Sequence, residues 1–356
     1  MRIVHVINGL GTGGAEMLVV DLAAAMQRHG HEVRVACLAD VGGVPRDRAV
    51  ELGVDVRVLG AHRFDPRLPF ALADVARGAD VVHAHLFPAF YWAALTPLKA
   101  PVLFTEHNTW NRRMDSQLFA MVDRAVYRRL ERVVAISEGT ATNLAKQLGQ
   151  EPSAYPVVLN GISDGLLEGP AAELPEGRRR MIIVASLENR RKDISRAVRT
   201  VAEVPGVSLS VVGEGPDRGE VEALIGELGV GDRVELLGRR GDVPVLLREH
   251  DLFLSTSRVE GFGLAAAEAM AVGLPVVAPA IPGISEVVSD GVSGLLFDPG
   301  DVGEPARSVS RVFGDRGLAL RLAGDARVAA GRFTADACAR AYEEQYAQLI
   351  TQRAQR

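Results

Sequence analysis

Along the chain, short runs of apolar, β-favouring residues alternate with longer stretches in which apolar positions recur every three to four residues. In the first half the runs are Ile3–Ile7, Val33–Leu38, Val54–Leu59, Val81–Ala84, Val102–Thr105, Val133–Ile136 and Tyr155–Leu159. In the second half they are Met181–Ala185, Val207–Val212, Arg233–Leu237, Leu252–Ser255, Pro275–Ala278 and Gly294–Phe297. Several are apolar at every position, as in parallel strands buried between two helical layers. The alternation predicts βαβ units, and hence an α/β protein with doubly wound sheets. A stretch from Phe333 to about Leu349 reads as one closing amphipathic helix.

With 356 residues, the chain has the length of two ordinary domains. The seam is expected between Ser163 and Arg180, where SDGLLEGPAAELPEGRRR is rich in Gly, Pro and Glu and keeps no steady period. This gives an N-terminal domain over 1–165, a second over 166–332, and the closing helix over 333–356. In doubly wound domains, ligands bind beyond the carboxyl ends of the strands. Functional residues should therefore lie just after strands.

Composition narrows the function classes. A net charge of -5 argues against broad nucleic-acid binding, which needs a basic surface. Cys37 and Cys338 have no metal-type spacing and read as reduced, partly buried thiols. No stretch approaches ~20 uninterrupted apolar residues, so no membrane span is expected. The first apolar run breaks at Asn8 and Gly9, which suits a strand better than a secretory leader. The expected location is the cytoplasm.

Gly9-Leu10-Gly11-Thr12-Gly13-Gly14 satisfies G-x-G-x-x-G between a strand and a helix, and Asp40 follows the next strand. This is the dinucleotide-binding pattern, and it keeps an NAD-dependent oxidoreductase open. Glycines there also let backbone N–H groups approach any phosphate or sugar. More specific is the segment from Ser255 to Pro275, with Glu260-Gly-Phe-Gly in a loop and Glu268 alone among small apolar residues of a helix. A lone carboxylate there is costly to bury unless it meets donors, and the two hydroxyls of a ribose would supply them. Glu260 can fold back towards the same ligand. The N–H groups of Phe262, Gly263 and Leu264 would face its anionic part.

This E-x7-E segment with its GFG turn and following GLPVVAP resembles the signature of family 4 retaining glycosyltransferases of GT-B fold. Other landmarks fall in order over nearly the whole chain: Gly13-Gly14-Ala15-Glu16, His83-Ala84-His85, Glu106-His107, Asn160-Gly161 and Gly213-Glu214-Gly215-Pro216. The resemblance implies two Rossmann-like domains facing across a cleft, the first binding the acceptor and the second a nucleotide-sugar donor. It also implies a last helix that packs back on the first domain. It assigns Glu268 to the donor ribose, Glu260 to the transferred sugar and Gly238 and Arg239 to the base, and it counts Gly13 and Gly14 among the donor-binding residues. His107 is assigned to the sugar or the anomeric centre.

After the strand Met181–Ala185 come Arg190, Arg191 and Lys192. A departing diphosphate gathers negative charge, which positioned cations can stabilise. No D-x-D is present to hold a divalent metal, so side chains are expected to do this, and no cofactor is implied. By the resemblance Lys192 is the family's lysine. Its arginine is missing at Ala185-Ser186-Leu187, leaving Arg190 or Arg191 to replace it. The expected reaction is therefore a metal-independent, retaining transfer with Lys192, Glu260 and His107 as catalytic residues and a UDP-sugar as donor.

His83 and His85 share a strand face and, with His107, offer a zinc reading, although no carboxylate or cysteine ligand accompanies them. A structural role for His83 and His85 is the alternative, and His29 and His31 read as surface residues. The rival functions are a GT-B nucleotide-sugar epimerase, an NAD-dependent oxidoreductase and a non-catalytic nucleotide-sugar binder. The acceptor stays open among small molecules, glycans and lipid-linked sugars. A basic amphipathic stretch, Phe119 to Arg132, reads as a solvated helix face or as a weak peripheral contact with an anionic membrane.

Overall fold

The computed structural model describes residues 1–11, 13–108 and 117–355. The chain forms two compact units, Met1–Ser163 with Phe333–Arg356, and Asp164–Arg332.

The sheet of the first unit contains β1 (Arg2–Ile7), β2 (Glu32–Ala39), β3 (Asp55–Gly60), β4 (Val81–His85), β5 (Val102–Glu106) and β6 (Arg132–Ala135). These strands are parallel and run in the order β3-β2-β1-β4-β5-β6, so the winding reverses between β1 and β4. Strand alternation sorts the side chains into two cores. Ile3, Ile7, Val35, Val81 and Leu103 pack on one face with the helices Gly14–Arg28 and Ala335–Ala354. Val4, Val6, Ala36, Val82 and Phe104 pack on the other with Phe90, Leu144 and Tyr155.

Helix Gly14–Arg28 is buried continuously from Leu18 to Met26, because the last helix covers the side turned away from the sheet. Its one buried charge, Asp21, accepts hydrogen bonds from Arg48 at 3.2 Å. Helix Ala335–Ala354 is capped by Thr334, whose hydroxyl accepts from the Ala337 N–H. It buries Tyr342 and Tyr346 completely.

Two sequence expectations change here. Tyr155–Leu159 is not a strand: it makes one isolated bridge, Val157 to Ala135. Pro156 has no N–H to donate, and a 3-10 turn at Pro152–Ala154 precedes it, so no ladder extends. The apolar run is instead core filling, with Tyr155 and Val158 buried. The closing helix also continues five residues beyond Leu349, where its apolar period has faded.

The second unit holds β7 (Arg180–Val184), β8 (Ser208–Val212), β9 (Val234–Gly238), β10 (Leu252–Leu254), β11 (Val276–Pro279) and β12 (Leu295–Phe297). They too are parallel, in the order β12-β11-β10-β7-β8-β9, with the reversal between β7 and β10. Among the described residues no helix is long and apolar enough to cross a membrane.

Candidate active site

In the second unit, the loops after β7 and β10 meet at the reversal of the sheet. Asn189–Lys192 forms one helical turn after β7. Thr256, after β10, donates its hydroxyl to the carbonyls of Lys192 at 3.0 Å and Asp193 at 2.9 Å. The Arg258 N–H donates to the Arg191 carbonyl at 2.7 Å, and its guanidinium to the Asp193 carboxylate at 2.8 Å. The two loops are thus stitched together at four points. What this stitching presents is Lys192 Nζ donating to Glu260 Oε1 at 2.5 Å, with the Ser257 hydroxyl donating to the same oxygen at 2.9 Å. The pair is only partly exposed, 17% for Lys192 and 19% for Glu260. Lys192, Ser255, Glu260, Gly263 and Ile284 line a small pocket there. Arg190 and Arg191 stand exposed beside it, Arg191 within 3.8 Å of Glu188.

The turn into helix Leu264–Ala271 depends on Gly263, whose φ is +100°. A Cβ there would stand 2.7 Å from Ile284 Cδ1, so another residue would be strained by the positive φ and would push the tip of Ile284 aside. Phe262 is buried, which anchors the turn, and Leu264 opens the helix partly exposed. Glu268 lies one turn in and is half-buried, while Ala266, Ala267, Ala269 and Met270 around it are fully buried. On the other flank, Gly213 N–H donates to the Gly238 carbonyl at 2.8 Å. Gly213 has φ +144°, and a Cβ there would lie 1.9 Å from the Ala185 carbonyl oxygen. The turn after β8 therefore packs directly on the chain leaving β7. Gly238 is half-buried and Arg239, next to it, is exposed.

In the first unit, Gly13 caps helix Gly14–Arg28 and Gly14 is exposed at its start. The Glu16 carboxylate folds back onto Gly13, and burial pushes its pKa up, opposed by a hydrogen bond from its own backbone N–H. Asp40 is exposed at the end of β2.

Register sets the histidines. His5 pairs with His83 across β1 and β4, and His83 with Leu103 across β4 and β5. His5, His83, His85 and Thr105 all face the C-terminal helix. His83 Nδ1 bonds the Tyr346 hydroxyl at 2.6 Å and its Nε2 the Thr105 hydroxyl at 2.7 Å. His85 bonds His5 at 3.0 Å, Nε2 to Nδ1, and His107 at 3.1 Å, Nδ1 to Nε2. His107 is half-buried; the other three imidazoles are fully buried. Burial disfavours their charged forms. It lowers His5 to about 3 and His107 to about 4, and holds His83 and His85 well below the ordinary 6.5, where neighbouring imidazoles add to the effect.

Ring nitrogens of His5, His83 and His85 lie within 4.8 Å of one another, a spacing compatible with a metal ion. Five of the six are already hydrogen-bonded, leaving only His5 Nε2. The donor set does not offer a metal three available lone pairs, and the zinc reading of His83, His85 and His107 finds no better support.

His5 was not among the residues singled out from the sequence. Only once Ile3–Ile7 and Val81–His85 are neighbouring strands does His5 fall on the face of His83 and His85. His29 and His31, expected at the surface, are instead held by the last helix. His29 bonds Glu343 at 2.7 Å and Asp336 at 2.6 Å; His31 lies 3.2 Å from Glu343. The basic stretch also divides. Gln117–Tyr127 is helical, with Phe119, Met121 and Val122 exposed, whereas Arg132 opens β6 and bonds Gln345, Gln348 and Gln352.

Two family models match. Residues 12–165 fit Glycosyltransferase Family 4, and residues 169–328 fit Glycosyl transferases group 1. The 2-deoxystreptamine glucosyltransferase of Streptomyces kanamyceticus is 32% identical over 57% of this chain and 56% of its own length. The D-inositol 3-phosphate glycosyltransferase of Mycobacterium sp. (strain KMS) is 30% identical over 83% of this chain and 77% of its own. In fold, the chain is similar to the crystal structure of Anabaena HepE in complex with UDP and glucose. The TM-score is 0.86 at 23% identity, over 98% of this chain and 100% of that one.

Proposed function

This chain belongs to glycosyltransferase family 4 and is a glycosyltransferase of GT-B fold; on that premise, we propose that it moves a sugar from a nucleotide diphosphate, with retention and without a metal ion. The observation that carries this reading is the Lys192–Glu260 pair, presented in a pocket at the strand reversal of the second unit. A carboxylate accepts from sugar hydroxyls and an ammonium meets phosphate oxygens. Each needs the other only while no ligand supplies the opposite charge.

As the anomeric C–O bond breaks, its electron pair passes to the diphosphate. Lys192, with Arg190 or Arg191, stabilises that charge. Glu260 holds the transferred sugar, and Glu268 the ribose. Arg239 and Gly238 lie beside the base. Gly13 and Gly14 offer backbone N–H groups to the donor, and Phe262, Gly263 and Leu264 do so in the second unit. His107 donates to the sugar. The acceptor oxygen bonds to the same face of the anomeric carbon, and its proton goes to the departing phosphate, so no protein nucleophile is required. We take a UDP-sugar as the donor and the cytoplasm as the location. Two relatives bear the names of cyclitols, which makes cyclitols the first acceptors to test. The exposed Phe119, Met121 and Val122 keep a weak membrane contact within this reading.

The matched families and the two relatives named above are glycosyltransferases, and neither the epimerase nor the NAD-dependent reading gains support from them. The test is incubation with UDP-α-glucose and a cyclitol panel in EDTA, with product configuration read by proton NMR. An α-linked product is expected. A β-linked product, or turnover abolished by EDTA, overturns the retaining or metal-free part.

A further inference from the structure

His107, His85 and His5 form a single file of imidazoles running from a half-buried ring at the end of β5 to a fully buried ring in the middle of β1. Both links are of hydrogen-bond length, and both nitrogens of His85 are used. Burial keeps all three rings neutral near pH 7. A neutral imidazole carries one N–H and one lone pair. The direction of the first link therefore fixes the second, and only two proton arrangements satisfy both.

In one arrangement, protons point inward. His107 donates from Nε2, His85 donates from Nε2 to His5, and His5 is left with an N–H at Nε2. In the other they point outward. His5 donates from Nδ1, His85 donates from Nδ1 to His107, and His107 carries its own proton on Nδ1. The inner end decides between them. His5 Nε2 is buried with no hydrogen-bond partner among the described residues. Orphaned N–H groups are rarer in protein interiors than under-satisfied acceptors, so the outward arrangement wins.

We infer that His5 and His85 are positioning residues which hold His107 as the neutral Nδ1–H tautomer, so that His107 donates a hydrogen bond to its ligand and does not act as a general base. The kinetic consequence rests on the transferase reading; the tautomer does not. His83 stands outside the file, since its nitrogens are taken by Tyr346 and Thr105.

The experiment is a long-range proton–nitrogen correlation spectrum of protein labelled with 15N-histidine at pH 7.5, with the His107 signals assigned from His107→Gln. The expected spectrum shows a protonated Nδ1 and an unprotonated Nε2 on His107. Two substitutions of His85 then separate positioning from packing. In His85→Asn the amide nitrogen stands where Nδ1 was and can still donate to His107 Nε2; His85→Leu cannot. The Asn variant should keep the Nδ1–H tautomer, and the Leu variant should lose it. Turnover of a UDP-sugar should fall about tenfold further in His85→Leu than in His85→Asn, the worth of one hydrogen bond. A protonated Nε2 or an averaged spectrum for wild-type His107 overturns the inference, as does an unchanged His107 tautomer in His85→Leu. Absence of turnover with every nucleotide-sugar would overturn the transferase reading and leave the tautomer assignment standing.

Discussion

Lys192 Nζ and Glu260 Oε1 are 2.5 Å apart, although 68 positions separate them in sequence. The contact exists because β7 and β10 are neighbours at the reversal of the second sheet, and because Thr256 and Arg258 tie their loops together. On the proposed reading, truncating Lys192 removes charge stabilisation that grows as the diphosphate departs. Lys192→Ala should therefore lower kcat roughly a hundredfold to a thousandfold with little change in KM. Steady-state kinetics check this. A rise in KM alone would mean that Lys192 only binds substrate.

Glu268 is half-buried among alanines, and on the proposed reading its carboxylate accepts from the donor ribose. Glu268→Ala should weaken nucleoside diphosphate binding roughly tenfold to a hundredfold, the loss expected for a charged hydrogen-bond acceptor. Titration calorimetry with the diphosphate measures it. Unchanged affinity would remove Glu268 from the donor site.

Gly213 permits the close approach of the turns after β7 and β8. An alanine there puts Cβ on the Ala185 carbonyl oxygen at a backbone angle that side chains avoid. Gly213→Ala should cost the second unit about 3 kcal/mol. Denaturant unfolding followed in that unit would show it. A variant as stable as the parent would mean that the turn opens without cost.

The first unit should have a stability maximum near neutral pH, because its histidines carry opposite signs. His5, His83 and His85 have pKa values depressed below 6.5 by burial. Their contribution is fully present above 6.5 and is lost as pH falls towards the folded values. Each costs up to about 1.4 kcal/mol per pH unit in that range. His29 is raised above 6.5, chiefly by Asp336 and then Glu343. Its contribution is fully present below 6.5 and is lost as pH rises through the folded value. His29→Gln should flatten the alkaline side of a Tm-against-pH curve and leave the decline just below pH 6.5 unchanged, with a further change only at the acid extreme where Asp336, held low chiefly by His29, titrates. Loss of the acid side instead would reverse the assignment.

Much of this architecture was legible in the apolar pattern. Twelve of the thirteen expected strand runs correspond to β1–β12: in inner strands such as β1, β4 and β5 burial on both faces leaves a continuous apolar signature, while the edge strands β3 and β9 are largely unburied and carry a weaker one. The exception, Tyr155–Leu159, has the right hydrophobicity but a proline where a ladder needs an N–H. Glu260 and Glu268 stood out because charge is conspicuous in an apolar segment. Contacts made by register or by distant helices were not legible. His5 joins the imidazole file only once β1 and β4 are neighbours, and His29 meets partners 307 and 314 positions away. Local periodicity carries no information about such pairings.

The most direct test of the donor assignment is thermal unfolding of the purified protein with UDP, GDP, ADP, TDP, NAD and NADP, each at saturation and with EDTA present. Binding to the folded state at a hundred times Kd adds about 2.7 kcal/mol of stability. The account predicts a rise in Tm with UDP that EDTA does not diminish and that Glu268→Ala reduces, to about half or less of the parent's stabilisation at the same UDP concentration. A rise with NAD or NADP alone would contradict it.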